Sequence, residues 1–360
     1  MRFFEHLFIN FFIPPTGFVK CLTLSSSFMK KFFFIFSALL LLSSCGKSYK
    51  VNIEFSKFEA KDKKAYLTDF NSGDTLATAT IVDRKCTLEG SFEKPFVGYL
   101  TWDEFAYPTY VVIVDEGETS VSIGEKYTVS GPLNEKRAEC DQERLMKIYA
   151  SDENYNDVYM KFYQENKDNI LGQWAFASYL DAENLDNDQI DRLLKDAPTE
   201  YAQLKIIDKL KSLNKQAELT APGKDYVDIE MTDSNGKTQK LSDYVGEDHF
   251  TIVYFFWPSI TQKDTKELLP LNLLHVKSKE NNGDFQVIGI PAYSTEEQTK
   301  QAIANAEIKF PVLISKEPVT RGELYGLYRN SNYFVAIGGN GKIVWRDYTL
   351  DEIVQKMLGK

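Results

Sequence analysis

The hydrophobic pattern along the chain changes twice after residue 50, and each part predicts a different class of structure. From about residue 51 to 129, short apolar runs such as "KKAYLTDF", "TLATATIV" and "FVGYLTW" are separated by breaks where Gly or Asp recurs. These runs are dense in Tyr and Val, which is typical of strands joined by turns. The pattern predicts an antiparallel β domain, which we bound at residues 45–133.

The next segment, residues 134–219, has helical spacing. Stretches such as "DQERLMKIYA", "YNDVYMKFYQENK" and "ILGQWAFASYLDAENL" repeat Tyr, Phe and Trp at this spacing, and such stripes are usually core packing rather than a cofactor site. Asp186 and Gln189 have the spacing of a capping box, and Pro198 separates the last two helices. We expect a helical connector here.

From residue 220 to 360, strands and helices alternate. The predicted elements are a hairpin around Asn235-Gly236, strand "FTIVYFF", helix 261–280, strand "FQVIGI", a helix opened by a capping box at Ser294, strand "FPVLIS", helix 320–328, a hairpin of "YFVAI" and "KIVW", and a last helix opened by a capping box at Thr349. This order predicts an α/β domain with a central mixed sheet flanked by helices.

The N-terminal region carries an export signal. "MKKFFFIFSALLLLSSC" combines two lysines, an apolar run too short to span a membrane stably, and small residues. We therefore assign residues 29–44 to a signal peptide and residues 1–28 to an upstream extension. The ending "LSSC" resembles the lipobox of bacterial lipoproteins, which implies that Cys45 is diacylated and becomes the first mature residue. The alternative is an ordinary signal with a coincidental cysteine.

The net charge of the chain limits the classes of partner that it can bind. The 360 residues are 43% hydrophobic and 26% charged, with a formal net charge of −10, and no Lys/Arg stripe interrupts this acidic surface. Such a surface repels phosphate backbones, so we predict no nucleic-acid partner.

Two motifs carry a family resemblance. "DSNGKTQKLSDYVGEDHFTIVYFFWPS" and "NGKIVW" resemble the TlpA/ResA-like branch of the thioredoxin superfamily over about 140 residues. The middle of the β domain resembles an uncharacterised β domain that often precedes thioredoxin modules in lipoproteins of Bacteroidetes-type bacteria. The resemblance implies a thioredoxin-like fold, although a fold alone does not imply activity.

The residues that perform the chemistry of this family are missing. Its members typically read F-W-A-S-W-C-x-x-C, so matching Phe256 and Trp257 places Thr261 and Asp264 on the two cysteine positions. Thiol–disulfide exchange needs a thiolate at a helix N-terminus and a second thiol one turn later. Thr261 and Asp264 cannot supply either, and we interpret them as a helix cap.

The resemblance also implies a cis-proline loop opposite the cysteines. This chain has Asn332 and Tyr333 at that position and no proline, since the last proline in the sequence is Pro318. In redox-active relatives the two loops form the substrate-peptide groove. We therefore expect Trp257, Pro258, Asn332 and Tyr333 to form an exposed binding face. The alternative is that Trp257 fills the core and Tyr333 belongs to a strand.

The sequence gives no support for a thiol-based, metal or cofactor site elsewhere in the chain. After Cys45 the thiols are Cys86 and Cys140, which are either two free buried groups or a disulfide that export would permit. His249 and His275 have no paired spacing, so we predict no metal site and no cofactor. We also assign no catalytic residue.

The sequence therefore predicts a lipoprotein of the cell envelope, on the periplasmic face of the outer membrane, with a redox-inactive thioredoxin-like domain. Its partners would be a membrane, through the lipid anchor, and an unknown protein or peptide. The alternative is a thiol-disulfide oxidoreductase or a peroxiredoxin-like antioxidant enzyme that uses Cys86 or Cys140.

Overall fold

The computed structural model describes residues 47–56, 63–102, 110–256, 262–280, 285–291, 296–314, 321–327 and 333–346, together with 352 and 355. Residues 48–360 form one structural unit. Along this unit the elements follow the predicted order: strands first, then helices, then an alternation of both.

The β region consists, within the described residues, of two four-stranded sheets with strand orders β4-β1-β7-β8 and β3-β2-β5-β6. The strands are β1 Lys47–Phe55, β2 Lys64–Asp69, β3 Thr75–Thr80, β4 Lys85–Phe92, β5 Phe96–Trp102, β6 Tyr110–Val114, β7 Gly117–Ile123 and β8 Tyr127–Val129. Alternate residues of β1, such as Val51 and Ile53, are buried, as the period of a half-buried strand requires. They pack with Leu67 and Leu100 of the other sheet into one core.

Strand pairing is antiparallel in β2–β3, β2–β5, β5–β6 and β7–β8, which confirms the predicted antiparallel region. The structure adds one parallel pair, β1–β7. Its origin is the break at Asp115 inside the run "YVVIVDEGETSVSIG". The Asp115 carboxylate accepts a hydrogen bond from the Glu116 backbone N–H at 2.8 Å, and Gly117 has φ +99°. The chain therefore leaves one sheet after β6 and enters the other as β7.

The helical segment contains α1 Pro132–Tyr149, α2 Asp157–Glu165, α3 Ile170–Ala182, α4 Asn187–Lys195 and α5 Lys205–Leu219, with a 3₁₀ turn Thr199–Gln203 directly after Pro198. The predicted capping box is present. The Asp186 side chain accepts from the Gln189 N–H at 2.7 Å, and the Gln189 side chain accepts from the Asp186 N–H at 2.8 Å. The aromatic spacing also builds a core, since Tyr163, Trp174 and Phe176 are all buried.

The C-terminal domain contains β9 Glu230–Thr232, β10 Thr238–Lys240, a 3₁₀ turn Leu241–Tyr244, β11 Phe250–Phe256, α6 Gln262–Glu280, β12 Phe285–Pro291, α7 Glu296–Asn305, a 3₁₀ turn Arg321–Tyr325, β13 Tyr333–Ile337 and β14 Ile343–Arg346. Its main sheet has the order β12-β11-β13-β14. Because β11 pairs parallel with β12 and antiparallel with β13, the predicted mixed sheet is confirmed. The two faces of the sheet each carry a hydrophobic core.

Two predicted elements differ from the structure. Within its described residues 310–314, the run "FPVLIS" forms only isolated bridges, Gly289 with Val312 and Thr232 with Ile314, since Pro311 has no N–H to extend a ladder. The predicted helix 320–328 is instead the 3₁₀ turn Arg321–Tyr325. It ends at Gly326 with φ +64°, where a Cβ would lie 2.4 Å from the carbonyl oxygen of Leu213. The capping boxes predicted at Ser294 and Thr349 lie outside the described residues.

The helical segment is joined to the C-terminal domain by a polar cap on α5. The Arg346 guanidinium donates to the carbonyl oxygens of Ala217 at 2.9 Å and Thr220 at 3.3 Å, and to that of Tyr325 at 3.1 Å. A guanidinium on the last carbonyls of a helix satisfies groups that the helix itself leaves open.

No helix in the described part of the chain combines the length and the hydropathy of a membrane span.

Candidate functional site

In sequence, the predicted redox position falls between the end of β11 at Phe256 and the first turn of α6. The residues that the sequence placed there fall mostly outside the described residues: Trp257, Pro258, Thr261 and Asn332, and the same holds for the predicted lipidation site Cys45. The described residues next to these gaps are Phe256 at the end of β11, Gln262 at the start of α6 and Tyr333 at the start of β13. Asp264 is in the first turn of α6, and its side chain is outside the described set.

Tyr333 is the only member of the predicted binding face whose side chain the structure describes. It is the first residue of β13 and pairs with Phe255 of β11, so the described end of β11 and the described start of β13 are neighbours. Tyr333 is half-buried and packs against one core cluster, which agrees with the alternative that it belongs to a strand. The four-residue face stays a prediction.

The two thiols of the described chain are unsuited to exchange chemistry. Cys86 of β4 and Cys140 of α1 are free and buried, as one of the two alternatives expected. Burial raises the pKa of Cys86 to about 11. Burial, assisted by the neighbouring carboxylates of Asp141 and Glu143, raises the pKa of Cys140 to about 12. Because the thiolate is the reactive form, both groups are held in the unreactive state at neutral pH.

The histidines and acids do not assemble a metal site in the part of the chain that the structure describes. His249 has ordinary polar neighbours: its Nε2 lies 3.1 Å from the Tyr244 carbonyl oxygen and 2.9 Å from the Gln286 side-chain nitrogen. His275 is buried within α6.

A cleft between the β region and the helices is the feature that sequence reasoning missed. Its volume is about 1320 Å³. The cleft walls carry Tyr99 and Tyr127 from the strands, Tyr159 and Trp174 from α2 and α3, and Arg137 from α1. Aromatic walls with a few convergent polar groups are typical of ligand sites.

Arg137 is the most unusual group in this cleft because only 6% of the residue is exposed. Its guanidinium carbon lies 6.0 Å from the centre of the Tyr127 ring and 5.8 Å from that of Trp174, within the range of cation–π attraction. Its Nη1 donates to the carboxylate of Asp141. Its Nε is buried and has no hydrogen-bond acceptor among the described residues.

Asp141 shares this environment. Its Oδ1 accepts from the hydroxyl of Tyr159 at 3.4 Å. Burial raises the pKa of Asp141, although the Arg137 charge and the Tyr159 hydrogen bond act in the opposite direction. Arg137 and Asp141 form an ion pair at the wall of the cleft, in which the Asp141 side chain keeps 39% of its surface exposed.

The sequence did contain a signal for this site. Arg137 and Asp141 are four residues apart in "NEKRAECDQER", the spacing of an ion pair on one helix face. Such charge-rich runs are usually solvated, and the aromatic residues were assigned to core packing alone. Nothing in the pattern showed that the β region would cover this face.

Two family models match the chain. Residues 222–346 match the AhpC/TSA family. Residues 49–156 match a domain of unknown function, DUF4369, which agrees with the predicted uncharacterised β domain. The mixed sheet of β11 to β14 and the AhpC/TSA match together give the C-terminal domain the thioredoxin-like fold that the sequence predicted.

Solved structures with similarity to this chain cover its C-terminal part. The thioredoxin domain of a thiol-disulfide oxidoreductase from Bacteroides vulgatus is 20% identical over 39% of this chain and 96% of that one, with a TM-score of 0.33. A thiol:disulfide interchange protein from Bacteroides sp. is 18% identical over 39% and 91%, with a TM-score of 0.32. A variant of PrxQ from Xylella fastidiosa is 18% identical over 39% and 96%, also at 0.32. No curated protein sequence shows a significant match.

Proposed function

We propose that the thioredoxin-like domain has no redox activity and serves as a binding module. One observation carries this proposal: no cysteine follows Cys140 in the sequence. The whole domain that matches the AhpC/TSA family therefore lacks a thiol. Disulfide exchange and cysteine-based peroxide reduction both proceed through a thiolate, so neither has a nucleophile here.

The competing proposal is an enzyme that borrows Cys86 or Cys140. The burial of both thiols and their raised pKa values argue against it. Redox-active cysteines are partly exposed and have a lowered pKa, usually at a helix N-terminus. Cys86 lies on a strand and Cys140 in the middle of α1.

An insulin-reduction assay with dithiothreitol as the electron donor separates these two proposals. We expect the wild-type protein and a Cys86→Ser/Cys140→Ser variant to give the same rate as dithiothreitol alone. A wild-type rate well above that background, lost in the double variant, would support the borrowed-thiol enzyme and exclude our proposal.

The binding role rests on the retained scaffold. Trp257, Pro258, Asn332 and Tyr333 occupy positions that form the peptide groove in redox-active relatives of the resembled family, and aromatic groups on such surfaces often dominate binding. After capture of a protein partner from solubilised membranes, Trp257→Ala and Tyr333→Ala should each weaken capture while the melting temperature stays near wild type. Folded variants that capture the partner normally would place its surface elsewhere.

We also propose that Cys45 carries a lipid that anchors the mature chain to the periplasmic face of the outer membrane. The sequence "LLSSC" supports this location. Metabolic labelling with a radioactive fatty acid should mark the wild-type protein and not Cys45→Ser. An unlabelled wild-type protein would remove the anchor from this account.

A further inference from the structure

The buried Arg137 in the cleft has no part in the proposed binding by the thioredoxin-like domain. Asp141 occupies only Nη1 of its guanidinium. Nε is enclosed without an acceptor, whereas Nη2 is not among the enclosed atoms and Arg137 lines the cleft. A guanidinium has five N–H donors in a planar fork, and the Nη2 edge is the part that an oxyanion in the cleft can reach.

The surroundings hold this edge in place. Tyr127 and Trp174 lie over the guanidinium at 6.0 and 5.8 Å, which restricts its rotation. The neighbouring hydroxyls already have partners: Tyr127 donates to the Val111 carbonyl oxygen at 2.6 Å, and Tyr159 donates to Asp141.

Charge favours a monoanion over a dianion. Arg144, on the same face of α1, is held by Asn156, which accepts from its Nε at 2.8 Å. The charged residues that line the cleft are four cations and three carboxylates: Arg137, Arg144, Lys205 and Lys209 against Asp141, Asp181 and Asp208. Their formal excess of one positive charge is balanced by one carboxylate and exceeded by a doubly charged phosphate.

The volume of the cleft and its aromatic lining define the rest of the ligand. The volume of about 1320 Å³ exceeds what a lone carboxylate fills, since pockets for small organic ligands span roughly 300–1,000 Å³. The rings of Phe70 and Tyr99, 5.1 Å apart, lie on the strand side of the cleft and offer an apolar surface.

We propose that this cleft binds a small organic acid, whose carboxylate accepts from Nη2 of Arg137 and whose apolar or aromatic body packs against the tyrosine-rich walls. This site is independent of the thioredoxin-like domain. The proposal requires the charge of the ligand and also the position of the Arg137 guanidinium at the cleft wall.

Calorimetric titration of the full-length protein tests the ligand class with three probes that share a phenyl ring. We expect 3-phenylpropionate to bind, and 3-phenylpropanol, which lacks the charge, to bind at least about tenfold more weakly. Phenyl phosphate should also bind more weakly. Equal binding of the alcohol, or no binding of 3-phenylpropionate up to about 10 mM, overturns the proposal. Tighter binding of phenyl phosphate would replace the carboxylate with a phosphate ester and reject the class we name.

Two variants test the role of Arg137. Arg137→Lys keeps the charge but removes the fork, and should weaken 3-phenylpropionate about tenfold. Because Arg137 is buried and this variant can fail to fold, Ala138→Glu provides a second test. Ala138 is an exposed helical residue on the edge of the cleft, and a carboxylate there should compete for Arg137 and weaken binding at least about fivefold.

The matched control is Ala304→Glu, an exposed alanine on α7 outside the cleft, which should bind the probe as wild type does. Binding by a folded Ala138→Glu protein that equals wild type, or an equal loss in Ala304→Glu, would show that Arg137 is only a packed core arginine.

Discussion

The C-terminal sheet and the helices around Arg137 bury different kinds of groups. Along β11 and β13 the buried side chains are almost all apolar or aromatic, whereas α1 buries a guanidinium with an incompletely paired edge. The first region matches the AhpC/TSA family, and of the second region only α1 lies within the match to a domain of unknown function, which ends at residue 156. The comparison teaches that a family match describes the scaffold of the first region, whereas the ligand site proposed in the second rests on the burial and charge of individual side chains.

The largest expected effects come from deleting one core aromatic side chain in each region. Phe256 of β11 and Phe176 of α3 are both fully buried. Phe256→Ala and Phe176→Ala should each lower the free energy of unfolding by about 3–5 kcal/mol, because each leaves a cavity in a close-packed core. Urea denaturation followed by circular dichroism measures both.

A cost below about 1 kcal/mol for Phe256→Ala beside a large cost for Phe176→Ala would contradict the comparison. It would mean that the thioredoxin-like domain is a loosely packed remnant rather than a maintained scaffold.

A smaller effect is expected at the junction of the two regions. Arg346→Ala removes the donor that three carbonyl oxygens of the junction share, and the free energy of unfolding should fall by about 2 kcal/mol. Arg346→Lys should restore only part of this, since an ammonium cannot reach all three oxygens as a fork does. If both variants unfold as wild type does, the regions are not coupled through α5.

The smallest effect concerns a local feature of the helical region. Asp186→Ala removes the side chain that caps α4 and should cost about 1 kcal/mol. Asp188→Ala is the matched control, since Asp188 lies in the first turn of the same helix without acting as its cap. Equal losses in the two variants would attribute the effect to the helix dipole rather than to the capping box.

The sequence predicted local features better than contacts between distant segments. The capping box at Asp186 and the turn at Gly236 follow from neighbouring residues, and both are present. The parallel pairing of β1 with β7 could not be predicted, because it depends on which sheet the chain enters after Asp115. The 3₁₀ turn before Gly326 depends on the close approach of α5, which no local pattern encodes.

The same distinction applies to the sites. The absence of cysteine after Cys140 is visible in the sequence itself, and the assignment of Thr261 and Asp264 to the redox positions stays a prediction from short motifs. The cleft could not be predicted, since Arg137 becomes buried only when Tyr127 of a strand and Trp174 of another helix close around it. Distances of this kind arise from packing between segments that are far apart in sequence.

The most direct test of the central claim is to restore the missing thiols. In a protein with Cys86 and Cys140 changed to serine, Thr261→Cys/Asp264→Cys should form a disulfide and give measurable insulin reduction. Turnover should be slow, because the residue directly before Tyr333 is Asn332 and not a proline. The parent protein with Thr261 and Asp264 intact should give only the background rate. A rate above background in the parent, or a folded restored variant that stays at background, would contradict the account.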